Sequence, residues 1–191
     1  EGEDPNVQRT MLLEYQHLPD RLLGLMPKSL LHYFMNPFVN NLGWRMVNFA
    51  KYMTALRDHT FRQSHAEYHF LLDYVPDWER SAGRGGLIQY QSFLPKETAE
   101  DAWREMVQLS INRGLPSYLG VTKRHRPDKF LLTHAVDGFS LAMDFKVTDK
   151  RRKKLADLLQ EFDRIVLEAG GRFYFAKNSE TTAESTRAFL G

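Results

Sequence analysis

Cysteine is absent from this chain of 191 residues. Disulfides, thiolate metal ligation and a cysteine nucleophile are therefore excluded, and the redox compartment is left open. Charge nearly cancels: 26 Lys and Arg against 24 Asp and Glu leave a net +2, so electrostatics alone point to no polyanionic partner. No apolar run approaches the roughly 20 residues that a membrane-spanning helix needs. No basic-then-apolar leader opens the chain either; Glu1-Gly-Glu-Asp4 is acidic, lacks Met and reads as a boundary inside something longer. The phosphate-binding P-loop, the G-x-S-x-G nucleophile turn and the G-x-G-x-x-G fingerprint are all missing, and Gly83-Arg-Gly-Gly86 is too short and opens a strand instead of a helix. Among the histidines, His59, His65, His69, His125 and His134 show no ligand spacing with carboxylates. His65 and His69 stand four apart in a stretch of strand composition, so no metal site is expected.

What is present has the composition of an ordinary folded protein, 42% hydrophobic and 26% charged, long enough for one domain with a core or one domain plus an appendage. The most informative stretch runs from Gly138 to Lys177. Phe139, Leu141, Met143, Phe145 and Val147 alternate with Ser140, Ala142, Asp144 and Lys146, which predicts a strand with one core face and one face toward water or a ligand. Thr148 follows as an N-cap, and Leu155, Leu158, Leu159, Phe162, Ile165, Val166 and Ala169 recur at steps of three and four, predicting a helix of about five turns. Gly170-Gly171 ends it, and Arg172 to Phe175 reads as a returning strand before Ala176-Lys177.

Upstream, Gly86 to Leu94 predicts a strand with Gln89 and Gln91 on one face and Ile88 and Tyr90 on the other. Thr98 with Asp101 begins a helix lined by Ala99, Ala102, Trp103, Met106, Leu109 and Ser110, and it ends at Arg113-Gly114. Ser117 to Arg124 is the next strand. The order from Gly86 is thus strand, helix, strand, strand, helix, strand. It predicts an α+β fold, a ferredoxin-like antiparallel sheet with both helices on one face and the other face free.

The first sixty residues are helical and irregular. Asn36-Pro37 is expected to cap a helix with the stripe Val39, Leu42, Met46, Phe49, Met53 and Leu56. Core packing is the preferred reading of that stripe. Membrane-surface attachment is the other, since Arg45, Lys51 and Arg57 flank it. Glu67 to Asp73 has strand composition. Residues 1–60 are read as a helical insert, 61–176 as the ferredoxin-like domain, and 177–191 as the start of a return into a further domain.

Polar side chains gather on the free sheet face. Gln89 and Gln91 point one way, Ser140 and Asp144 likewise, and amides with a carboxylate suit the hydroxyls of a small molecule. Lys123 and Lys177 add positive charge for a phosphate or a developing anion. The alternative is that these are merely solvated outward positions. A nucleic-acid partner is not expected: the βαββαβ order is also that of RNA-recognition folds, but Leu141 and Asp144 stand where stacking rings would be wanted.

On Gly85-Gly-Leu-Ile-Gln-Tyr-Gln91, the Asp144-Phe145 strand and Leu167-Glu-Ala-Gly-Gly-Arg-Phe-Tyr-Phe-Ala-Lys177, the chain resembles the substrate domain of FAD-linked oxidases of the vanillyl-alcohol-oxidase type. Within that type it is most like the decaprenylphosphoryl-ribose and aldono-lactone oxidases. The resemblance implies a parent enzyme that oxidises a CH–OH group of a sugar, polyol or lactone. An FAD domain, largely outside this chain, would hold the cofactor, and the sheet would roof it. It also implies that Gln89, Gln91, Ser140 and Ala142 line the substrate pocket, with Lys123 as a second lysine. Lys177 would approach both flavin and substrate as the catalytic and cofactor-facing cation. Alone, the chain is expected to bind FAD poorly and not to turn over. The expected setting is cytoplasmic or peripheral to a membrane surface. A reading from a different class is a stand-alone ferredoxin-like binding module without catalysis.

Overall fold

The computed structural model describes residues 21–22, 25–57, 78–130, 133–177 and 180–190. They fall into two compact units, Glu1–Gly83 and Arg84–Gly191. The strand expected over Glu67 to Asp73, and His59, His65 and His69, lie outside the described residues.

In the first unit, short strands β1 (Arg21–Leu22) and β2 (Met26–Pro27) pair antiparallel. A short helix α1 (Leu31–Met35) and a longer α2 (Asn41–Arg57) follow. The expected start of α2 is corrected. Asn36-Pro37 forms a separate 3-10 turn, Asn36–Phe38. The cap is Asn40, whose Oδ1 accepts from the backbone N–H groups of Leu42 and Gly43, each at 3.0 Å, while its Nδ2 donates to Pro37 O at 2.7 Å. Two of the orphan donors of the first turn are thereby satisfied by one side chain. Gly43 is required here by space: a Cβ would stand 2.1 Å from Phe38 O.

The second unit is an α+β domain. Its strands are β3 (Leu87–Pro95), β4 (Leu119–His125), β5 (Gly138–Lys146) and β6 (Arg172–Phe173). Helix α3 (Ala99–Asn112) follows β3, and α4 (Arg152–Glu168) follows β5. Every strand pair is antiparallel and the spatial order is β4-β5-β3-β6, the ferredoxin-like arrangement expected from the element order. A last helix, α5 (Ala183–Leu190), begins where Thr182 Oγ1 accepts from the Ser185 N–H.

Helices α3 and α4 cover the face of β3 and β5 that carries Tyr90, Leu94, Met143 and Phe145. Their apolar stripes close the core with Met106, Leu158, Phe162 and Val166, all essentially without exposure. Burying these side chains removes apolar surface from water at roughly 25 cal/mol per Å², the main favourable term. Helix α3 starts where expected, with Thr98 at its N-cap position, whereas α4 starts later than expected. Thr98 does precede α3, but its hydroxyl donates to Ala169 O at 2.9 Å, satisfying the C-terminus of α4 instead. Thr148 is displaced from its expected role: α4 begins at Arg152, and Thr148 O accepts from Arg151 and Arg152 N–H in a preceding turn. The stop at Gly170 is as expected, with φ of 71°. Strand β6 is shorter than Arg172 to Phe175, because Tyr174 turns to close on Lys177 N–H.

Candidate functional site

The second face of the sheet carries the polar residues singled out above. Register explains why they meet. Gln89 opposes Asp144, Gln91 opposes Ala142, and Lys123 opposes Ser140 across β3, β5 and β4. Directly opposed residues of an antiparallel pair project to the same side, so three strands contribute to one patch. Gln89 Nε2 donates to Asp144 Oδ1 at 2.7 Å, and Gln91 Nε2 donates to Ser140 Oγ at 3.4 Å.

This face is not free, which corrects the open sheet surface expected from alternation alone. Ser140 has no exposure and Asp144 only 3%, while Gln89 and Gln91 are half-buried and Lys123 is exposed. Such burial removes the reading of Ser140 and Asp144 as solvated outward positions. At the Ser140 end the face carries a set of rings. Phe93, two residues beyond Gln91, is buried. His125 of β4 lies against it at 4.8 Å between ring centroids and His134 at 4.4 Å, and Tyr174 packs on His134 at 4.7 Å. The segment after β4 is tied down on both sides. Arg124 pairs with Asp137 and donates to Gly138 O at 2.9 Å, and Arg172 Nη1 donates to Thr133 O at 2.7 Å.

His125 is the residue that sequence reasoning passed over. Its Nε2 lies 2.8 Å from Ser140 Oγ, so Ser140 is held between an imidazole and the Gln91 amide. Burial lowers the His125 pKa, and the nearby His134, Lys123 and Arg124 push it in the same direction. A neutral imidazole results near neutral pH, one that donates or accepts according to tautomer. The signal was present in the spacing: His125 is two residues from Lys123 on the same strand and shares its face. Phe93, His134 and Tyr174 were legible only as apolar or aromatic residues.

Lys177 follows β6, and its side chain is not hydrogen-bonded into this patch among the described residues. It is exposed in the turn there, where its backbone N–H donates to Tyr174 O at 3.0 Å. Among the described residues no group of His, Asp and Glu is arranged to hold a metal ion. For a flavin, the described residues offer a partial fit. The half-buried amides of Gln89 and Gln91, the Tyr174 ring and the Lys177 ammonium suit the edge of a flat polar ring system. The described glycine turns do not form a cradle opening a helix for a pyrophosphate. A separate groove of about 580 Å³ opens on the helix side between α3 and β4, lined in part by Trp103, Val107, Thr122 and Phe139. The sheet separates it from the polar patch.

Comparison with known proteins accords with this arrangement. Over 127 residues the chain is 34% identical to decaprenylphosphoryl-β-D-ribose oxidase of Mycolicibacterium smegmatis, a match covering 66% of this chain and 26% of that protein. The likeness supports an FAD-linked oxidase C-terminal domain, and it bears out the resemblance carried by the Gln89-Tyr90-Gln91 and Ala176-Lys177 segments. The chain spans about a quarter of the length of this curated relative. No family model matches the chain.

Proposed function

We propose that this chain is the substrate-binding part of an FAD-dependent oxidoreductase acting on a CH–OH group of a sugar, polyol or lactone. The observation that carries the reading is the pairing of Gln89 with Asp144 and Gln91 with Ser140 on one shielded face. A carboxylate and two amides held in fixed register bind vicinal hydroxyls with defined orientation, and shielding strengthens each such bond. The matched oxidase is named for a ribose carried on a polyprenyl phosphate, which favours a sugar on a lipid carrier within this class.

In this reading, residues 1–60 form the insert, 61–176 the substrate domain and 177–191 the return toward the flavin domain of the same polypeptide. When bound, FAD supplies the two-electron chemistry by accepting the hydride. This chain's residues orient the alcohol: Gln89, Gln91, Ser140 and Asp144 by hydrogen bonds, Lys123 and Lys177 by positive charge toward a phosphate or developing anion. His125 holds the Ser140 hydroxyl in place.

Anaerobic flavin reduction in the full-length parent tests this. With a panel of sugars, lactones and lipid-linked sugars, one of them bleaches the flavin, and Gln89→Ala and Lys177→Ala each slow that reduction by about tenfold or more. Unchanged reduction in both variants removes the site assignment. A colourless parent that takes up no added FAD returns the domain to the non-catalytic binding-module reading.

A further inference from the structure

Helix α2 leaves its apolar side uncovered. Leu42, Met46, Phe49, Tyr52, Met53 and Leu56 recur at steps of three and four. All are exposed, Leu42 at 68%, Phe49 at 66% and Met46 at 61%. Packing is confined to the first turn, where Gly43 is buried against Phe38 O and Trp44 is half-buried; from Arg45 to Arg57 every residue is exposed, with Asn48, Lys51 and Thr54 on the side away from the stripe. The stripe expected to face a core is therefore exposed to solvent. Just before α2, Tyr33, Phe34 and Phe38 are likewise exposed. Exposed apolar side chains gathered along one helix face mark a binding surface.

Charge indicates the occupant. Residues 25–57 contain Lys28, Arg45, Lys51 and Arg57 and no Asp or Glu, in a chain whose overall charge nearly cancels. Arg45 and Arg57 border the stripe at helical spacing, and both are exposed, as is Lys51. An apolar stripe with aromatic rings and only cations beside it matches the boundary of an anionic bilayer, with rings and methionines among the acyl chains and guanidinium groups at the headgroups. The helix lies on such a surface rather than crossing it. Its 17 residues extend about 25 Å, short of the roughly 30 Å hydrocarbon core, and no described helix is long and apolar enough to span a membrane.

We infer that α2 docks this protein onto an anionic lipid surface, with Leu42, Met46, Phe49 and Met53 inserted and Arg45 and Arg57 at the headgroups. The inference does not depend on the flavin reading. Sedimentation of the full-length parent with vesicles tests it. Vesicles of phosphatidylcholine with about 30% phosphatidylglycerol capture the protein, pure phosphatidylcholine captures at least about fivefold less, and raised salt releases it. Phe49→Glu, and separately the pair Arg45→Glu with Arg57→Glu, each lower the bound fraction about tenfold. Circular dichroism is unchanged, because these side chains are exposed. No capture of the parent by the anionic vesicles overturns the inference, as does capture that these variants leave intact. Two further results overturn it by naming another occupant: a lipid-free dimer in light scattering that Phe49→Glu dissolves, or loss of bound flavin in Phe49→Glu, which places the stripe against the rest of the polypeptide.

Discussion

Gln89 and Asp144 face each other directly across β3 and β5, and the amide donates to a carboxylate that is almost wholly buried, at 2.7 Å. A buried carboxylate demands donors, and a glutamine held by one keeps its own carbonyl oxygen in a fixed direction. Asp144→Asn retains the shape but turns an acceptor into a donor opposite the Gln89 NH2. The expected outcome is a loss of about 1–3 kcal/mol in urea unfolding. In the flavoprotein parent, a rise in KM larger than the fall in kcat is expected, since the groups that orient substrate are disturbed. A variant with wild-type stability and kinetics would show that this pair has neither role.

Tyr90 Oη donates to Asp163 Oδ1 at 2.9 Å inside the core, linking the middle strand β3 to α4. Burial raises the Asp163 carboxyl above its usual range, against the lowering effect of the Tyr90 hydroxyl. Burial likewise raises the Tyr90 phenol well above its ordinary value, with the adjacent Asp163 adding to the rise. A raised folded-state pKa means the native domain holds its proton more tightly than the unfolded chain. The contribution of Asp163 to stability is therefore fully present below the ordinary carboxylate pKa of about 3.9 and is lost as pH climbs through the raised value. Denaturant midpoints across the acid range should show this falling limb in the wild type, and Asp163→Asn should flatten it. Tyr90→Phe should cost about 1–3 kcal/mol, because it strips a donor from a buried carboxyl.

The opposite sign applies to His125. Its lowered pKa, due first to burial and then to His134, Lys123 and Arg124, means that the folded domain resists the imidazolium. Stability from this group is present above the ordinary imidazole pKa of about 6.5 and is lost as pH falls through the depressed value. Histidine ring signals followed by NMR should place the His125 midpoint below that of an exposed histidine. His125→Gln should abolish this titration, and it should leave Gln91 as the main neighbour holding Ser140.

Two glycines should respond to alanine very differently. At Gly138, where β5 begins beside the end of β3, a Cβ would lie 1.9 Å from Leu94 O, so only backbone movement could admit it. Gly138→Ala should cost about 3 kcal/mol or more and weaken the β3–β5 pairing. At Gly170 nothing approaches within 4 Å, and the cost is that of the left-handed φ alone. Gly170→Ala should lower stability by about 1–2 kcal/mol, read from the same unfolding curves.

The order and type of the main elements in the second unit were legible in the sequence, because period-two and period-3.6 patterns encode which face of each element leaves water. The core-facing side chains of Phe139 to Val147 and of Leu155 to Val166 behave as their spacing predicts. Helix starts were less legible. Thr98, Thr148 and Asn36 all have capping chemistry, yet a hydroxyl or amide takes whichever partner the assembled fold brings near, and the true cap of α2 is Asn40. Strand register was wholly tertiary. Alternation put Gln89, Gln91, Ser140 and Asp144 each on a face, but only the pairing of β3 with β5 sets Gln89 against Asp144, and only β4 brings His125 to Ser140.

By itself, the sequence determined the α+β βαββαβ order, the helix-facing core and the polar character of the opposite sheet face, since each depends on contacts that repeat locally along the chain. Tertiary structure decided the rest. It buried Ser140 and Asp144, with rings from β3, β4 and the segments beyond β4 and β6 gathered at the Ser140 end, and it left the apolar stripe of α2 exposed to solvent. Both outcomes depend on which surfaces meet when distant segments pack. Periodicity can say that a face is apolar or polar, but not what, if anything, will cover it.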